Sequence, residues 1–384
     1  MAEPDLTPDT PGYIEIATVL AKVEMRRLND DRAIALTDAA LPQAQKTGND
    51  AIILDLLITR GVSLSNVGRS TEAVVVLTGA VDVAGRQMIE YQWNRAAVNL
   101  GYALAPDDPA RSFAVSRAAI ERSRRVGVIG AIRYILGNAV DAAIEVAEWD
   151  WAMEQIAEMD AILTEPAEQL WFGTFKVAIS AYRGEDVLEE AQRLYRDSRG
   201  VDDAQYRSVG AVGLAVAEML RGNTARVAEL AEEDFTSGAA GADSAVHAAR
   251  VAIWNGDLAG ARRGHLALAR MIPGRRTTAL KSTVEAGIAM LDGRSTEARA
   301  LYSEAHRMFR ELETPFWIAL VGLDIILTGA MEADERRRAA DEAREIFTRL
   351  RASALLDRLD AALAADVPLE PTKQRAPSEV PQEA

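Results

Sequence analysis

A chain of 384 residues, 49% hydrophobic and 26% charged, has the apolar content of a folded protein and is longer than one ordinary globular core uses. Its formal net charge of −15 sets most of its surface against nucleic acid and anionic membrane, so neither is expected as a partner. Cysteine is absent, which removes disulfides, thiolate catalysis and cysteine-based zinc sites, and fits a cytoplasmic protein.

Residues 1–11 hold Pro4, Pro8 and Pro11 and neither a basic nor an apolar signal region. They read as a disordered lead rather than a secretory signal. Helical periodicity then predicts pairs over about 12–28 and 31–46, 50–66 and 70–85, 88–105 and 109–126, and 128–147 and 150–162. Further pairs follow over about 166–183 and 185–198, 203–221 and 224–234, 242–255 and 257–271, 276–292 and 295–312, and 315–329 and 333–350, with a last helix over 352–364. Pro42 should kink or end the second helix early, Ser70 should cap the fourth, and Pro109 suits a first helical position. The glycine-rich join Ser237-Gly238-Ala239-Ala240-Gly241 reads as the most flexible internal link. Residues 365–384 carry Pro368, Pro371, Pro377 and Pro381 without apolar periodicity and read as a disordered tail. The most apolar window, Trp317 to Leu327, contains Asp324 and is shorter than the ~20 residues of a membrane span.

The pairs repeat. GRSTEARALYSEA, from Gly293 to Ala305, and GRSTEAVVVLTGA, from Gly68 to Ala80, share a turn glycine, a small residue for close helix approach and a large apolar residue one turn later. Ala33, Ala73, Phe113, Ala152, Val187, Val227, Ala261, Ala298 and Ala339 mark the close-approach position at spacings of 34 to 41 residues. That period predicts an all-α, right-handed superhelical solenoid of about nine antiparallel helix pairs spanning residues 12–364.

Chemistry is harder to find. No Gly-x-x-x-x-Gly-Lys-Ser/Thr loop and no Gly-x-Ser-x-Gly elbow is present. His247, His265 and His306 stand in no metal-binding spacing, and the many carboxylates read as solvated helix faces. Arg122, Arg124 and Arg125, like Arg336, Arg337 and Arg338, read the same way. No catalytic residue, metal or cofactor is expected, and the protein is read as a non-enzyme. Two features stand out. Trp149 and Trp151 flank Asp150 at a helix turn, where they either anchor a partner or fill the groove between repeats while Asp150 caps a helix. The first helix of each pair lines the inner face of a curved array, where Arg95 with Asn99, and Tyr134 with Asn138 one repeat later, sit four residues apart and could grip an extended peptide. The competing reading is that the asparagines bond backbone between repeats.

The spacing of Gly293, Ala298, Tyr302 and Ala305 resembles the second half of a tetratricopeptide repeat, as do Gly256, Ala261 and Leu268, with His265 where a large apolar residue is usual. Asn99-Leu100-Gly101-Tyr102 resembles the first-helix pattern. The segment GRSTEARALYSEAHRMFRELETPFWIALVGLDIIL, with ADEAREIFTRLRASALLDRLDAAL after it, is similar to the last repeats of bacterial signalling ATPases, either LuxR-type regulators or class III adenylate cyclases fused to an ATPase module. The resemblance implies a partner-binding or sensor arm in signal transduction. It also implies that inner-face asparagines and basic residues hold a ligand's carboxylate, roles that Asn99 and Asn138 match by position. No DNA-binding helix-turn-helix pattern follows these repeats, which suits the cyclase-type arrangement better, and the cyclase and ATPase modules have no counterpart in the sequence. The expected function is therefore binding of a partner protein or peptide on the concave face. Sensing of a small-molecule effector stands as the alternative and an all-α enzyme as the remote one.

Overall fold

The computed structural model describes residues 12–161, 166–201, 204–237 and 243–365. The leading residues 1–11, most of the glycine-rich join and the tail beyond residue 365 lie outside them. The described residues form nineteen α-helices, a short 3-10 turn at Leu268–Arg270, and no strand. In order the helices are α1 (Tyr13–Arg26), α2 (Asp30–Thr47), α3 (Asp50–Asn66), α4 (Ser70–Arg86), α5 (Glu90–Leu104), α6 (Pro109–Val126), α7 (Ile129–Glu145), α8 (Trp149–Asp160), α9 (Pro166–Tyr182) and α10 (Leu188–Arg199). They continue as α11 (Ala204–Leu220), α12 (Thr224–Ser237), α13 (Asp243–Trp254), α14 (Leu258–Ala267), α15 (Arg275–Leu291), α16 (Ser295–Glu311), α17 (Pro315–Thr328), α18 (Ala333–Leu350) and α19 (Ser353–Ala365).

Local chemistry explains the boundaries. Glycines in the left-handed region close many of the helices, among them Gly68 at φ 81° and Gly293 at φ 77°. Asn49, Asp108 and Asp257 cap α3, α6 and α14 by accepting first-turn amides, and Pro109 opens α6. Three expectations shift. α2 runs through Pro42 to Thr47, because Ala33, Ile34, Ala40 and Ala44 bury its inner stripe and outweigh one lost backbone bond. Ser70 is the first helical residue rather than the cap; Arg69 holds the cap position, its side chain pairing with Glu72 instead of accepting a first-turn amide. Val187 precedes α10 and is half-buried, so Ala191, one turn later, fills the close-approach position there.

Each helix packs on its successor, and each odd-numbered helix also touches the next odd-numbered one, from α1 through α3, α5, α7 and α9 and from α11 through α13, α15, α17 and α19, with α9 against α11 between them. One continuous apolar core runs along this row from Ile34 to Leu359, with a small satellite under α1 around Tyr13, Ala17 and Leu56.

The row also returns on itself: α17 touches α7, and α19 touches α9. The first turn of α15 is capped from the α5–α6 loop, with Arg275 N–H donating to Asp107 Oδ1 at 2.8 Å and Arg276 N–H to Pro106 O at 2.9 Å. Gly274 lies so close to this loop that a Cβ would stand 2.6 Å from Pro106 O. A second closure joins the α18–α19 turn to α8 and α9. Ser353 Oγ donates to Arg183 O at 2.6 Å, Arg183 Nη2 reaches Asp150 at 2.5 Å, and Arg351 also pairs with Asp150. Burial works against the Asp150 carboxylate, but the two guanidiniums hold it below the usual carboxylate range.

Candidate functional site

Of the four inner-face residues singled out from the sequence, Arg95 and Asn138 brace neighbouring helices, and Asn99 bonds its own. On α5, Arg95 sends Nη1 to Asp55 Oδ1 at 2.9 Å and Nη2 to Thr59 Oγ1 at 2.8 Å. Asp55 also pairs with Lys22 at 2.6 Å, giving a charge ladder across α1, α3 and α5. Burial pulls the Arg95 guanidinium below its ordinary value, and the Asp55 carboxylate opposes that shift. Asn99 Nδ2 donates to Arg95 O at 2.7 Å, and Asn138 Nδ2 to Val98 O of the preceding repeat at 2.7 Å. Tyr134 is 57% exposed, with the Arg133 guanidinium 4.8 Å from its ring centroid.

The tryptophans of α8 fill grooves. Trp149 is 1% exposed, donates Nε1–H to Ile144 O at 2.9 Å, and packs on Tyr182 of α9 and Phe316 of α17. It thus lies in the seam that closes the array and offers no outward anchor. Trp151 is half-buried with its ring edge-on to Phe113, centroids 5.0 Å apart. Asp150 falls in the first turn of α8 and caps nothing; Glu148 holds the cap position.

The closure borders a half-open cavity of about 340 Å3 between the odd-numbered helices. Its volume falls at the low end of the roughly 300–1,000 Å3 typical of small-ligand sites. α7 contributes Asn138, Asp141 and Glu145; α9 contributes Trp171, Thr174 and Phe175; α11 contributes Val209, Val212 and Val216. His247 of α13, Arg276 and Thr277 of α15, and Phe316 and Trp317 of α17 complete the wall from the far end of the chain. Each group arrives by helical periodicity: Trp171 and Phe175, or Asp141 and Glu145, stand one turn apart on one face.

Electrostatically the site is built around a buried ion pair. Arg276 of α15 meets Glu145 of α7 across the closure, and its guanidinium lies 5.8 Å from the Trp317 ring centroid. Behind Trp317, Arg250 is 2% and Asp324 3% exposed; Arg250 Nε bonds Asp324 Oδ2 at 3.1 Å while Trp254 Nε1 donates to Asp324 Oδ1 at 2.7 Å. Burial pushes the Asp324 carboxyl up, and Arg250 and Trp254 oppose that.

Of the six candidate residues, Asn138 alone lines this cavity, while Glu145, His247, Arg276, Trp171 and Trp317 were not singled out. A faint signal existed for one neighbour, since Asp324 interrupts the apolar run of α17 and a buried acid demands a cationic partner. Among the described residues no three His, Cys, Asp or Glu side chains converge as a metal site, and no helix is long and apolar enough to cross a membrane. No protein-family model matches the sequence, and no curated protein is significantly similar to it.

Proposed function

We propose that the chain is a non-catalytic effector-sensing module of tetratricopeptide type, a right-handed superhelical stack of helix pairs that holds a small molecule in its interior. The observation that carries this reading is the shared lining of one half-open cavity. Helices from the middle and the C-terminal part of the chain share one cavity with an aromatic and aliphatic wall and a few convergent polar groups. A ligand there touches α7, α9, α15 and α17 at once, so its binding energy favours the closed arrangement over any opened one. The likeness of the last repeats to the arms of signalling ATPases fits this role, with a protein partner reading the change in closure. Direct capture of an extended peptide on the inner face fits less well, because Arg95 and Asn138 spend donors on neighbouring helices, Asn99 spends one on its own helix, and the C-terminal helices occupy part of that face.

A metabolite screen by thermal shift tests the proposal, with Val212→Trp as a variant whose larger side chain fills the cavity. Compounds that raise the midpoint of the native protein and not of the variant are the expected result. Compounds that stabilise both equally would place binding elsewhere and remove the cavity from the argument.

A further inference from the structure

The two ends of the row are finished differently. At one end α19 turns Asp357, Asp360 and Ala361 to solvent, the kind of polar outer face that caps a helical stack. At the other end α1 carries Ile16, Val19, Leu20 and Val23, spaced i, i+3, i+4 and i+7 along one face. Ile16 is 46% and Val19 61% exposed, and Leu20 and Val23 are half-buried. The next pair shows what such a face is for. Leu28 and Gly68, both left-handed at the turn after the helix, and Ala33 and Ala73 in the partner helices fix the register between α1 and α3. In that register the four residues match Leu56, Thr59, Arg60 and Ser63. Leu56 is buried among Tyr13, Ala17, Ala40 and Ala44 of the preceding pair, Arg60 Nε bonds Asp38 of α2 at 2.7 Å, and Thr59 and Ser63 are fully buried. On α1 the same seam is open to solvent and more apolar than it is on α3.

We propose that the chain self-associates through α1, as an antiparallel two-fold dimer. Residues 1–11 and 366–384 are rich in proline and hold no apolar residues at helical spacing that would match the stripe. A second copy does match it. In an antiparallel contact centred between Val19 and Leu20, Ile16 of each copy meets Val23 of the other, and Val19 meets Leu20. Charge selects the same arrangement. Glu15 and Arg26 are both exposed and stand about three turns apart on one flank of the stripe. The antiparallel contact sets Glu15 of each copy beside Arg26 of the other, whereas a parallel one would oppose like charges. Of the other charges on α1 and its turn, Lys22 pairs with Asp55, Glu24 is buried beside Asn29, and Arg27 lies past the end of the stripe, opposite Gly12 of the other copy. One helix from each copy makes a small interface, so the dimer is weak and concentration-dependent.

The test uses the full chain. Sedimentation equilibrium is expected to show monomer and dimer in exchange, with a Kd between about 1 μM and 1 mM. Val19→Lys, at an exposed position, should weaken the dimer at least tenfold, and a thermal melt establishes that the variant folds. Because the chain has no cysteine, a single introduced one reports the geometry. The cysteine of Val19→Cys lies next to its own copy across the two-fold axis and should form an interchain disulfide on oxidation. That of Ile16→Cys lies about 10 Å along the helix from its own copy, beyond the reach of a disulfide, and should not. Equal cross-linking of both variants would mean a parallel contact and overturns the proposal. So does a protein that stays monomeric up to about 1 mM, or a dimer that Val19→Lys leaves intact.

Discussion

Met88 occupies a position that its counterparts give to glycine. It follows α4 at φ 56°, and Ile89 N–H bonds Ala84 O in the six-to-one pattern that ends a helix through a left-handed residue. Leu28, Ala147, Glu313 and Arg351 do the same elsewhere. A side chain in that region carries a steric cost of roughly 1–2 kcal/mol that glycine avoids, offset in part by the greater freedom of glycine in the unfolded chain. Met88 is 79% exposed, so little packing is lost on its removal. Met88→Gly is therefore expected to stabilise the array by about 0.5 kcal/mol, read as a rise in the urea midpoint; a fall would show that Met88 makes a contact worth more than the strain. Residue-level inference from sequence succeeds and fails on the same ground. Trp149 and Asn138 have side chains equally suited to gripping a partner and to bracing a neighbour, and only the three-dimensional surroundings decide which they do.

At the scale of elements, helix positions were legible because their signals are local: a turn glycine, a capping side chain and an apolar stripe lie within a few residues of each boundary. Pro42 and Val187 misled for a tertiary reason, since burial along α2 and the packing of Ala191 in α10 outweigh local preference. The partnership of α13 with α17 was not legible. Asp324 announced the need for a cation, but no pattern in the sequence named Arg250. Asp324→Leu leaves that guanidinium buried without its carboxylate and is expected to cost about 3–5 kcal/mol. The double variant Arg250→Met with Asp324→Leu removes both charges and should recover most of the loss. Urea titration of the three proteins checks this; a double variant no better than the single one would mean that the pair's geometry, rather than its charge, holds the two helices.

At the scale of the whole molecule, a helical array that met only its neighbours would be an open stack, and sequence periodicity describes such a stack well. The cavity exists because this stack closes, and closure depends on few contacts far apart in sequence: the cap on α15, the Asp150 pairs with Arg183 and Arg351, and the aromatic seam of Trp149, Tyr182 and Phe316. Gly274→Ala tests the first of these. Its added methyl group meets Pro106 backbone and should force α15 from the loop at a cost of about 1–3 kcal/mol. Small-angle scattering is expected to show a larger radius of gyration for the variant; an unchanged radius would mean that the remaining closure contacts, the Arg276–Glu145 pair among them, hold the array without this cap.

The cap on α15 also sets an order of events in the cell. Asp107 and Pro106 are made first, and the amides they receive follow 168 and 170 residues later. At a synthesis rate of ~5–20 residues per second, the nascent chain waits roughly 10–30 s between the two. Through that interval and until Phe316 follows, Tyr182 and Trp149 have no Phe316 to cover them, and the half-made wall of the cavity faces solvent or a chaperone. Translation speed from α9 to the start of α17 thus governs how long an adhesive aromatic surface stays open before the chain itself seals it.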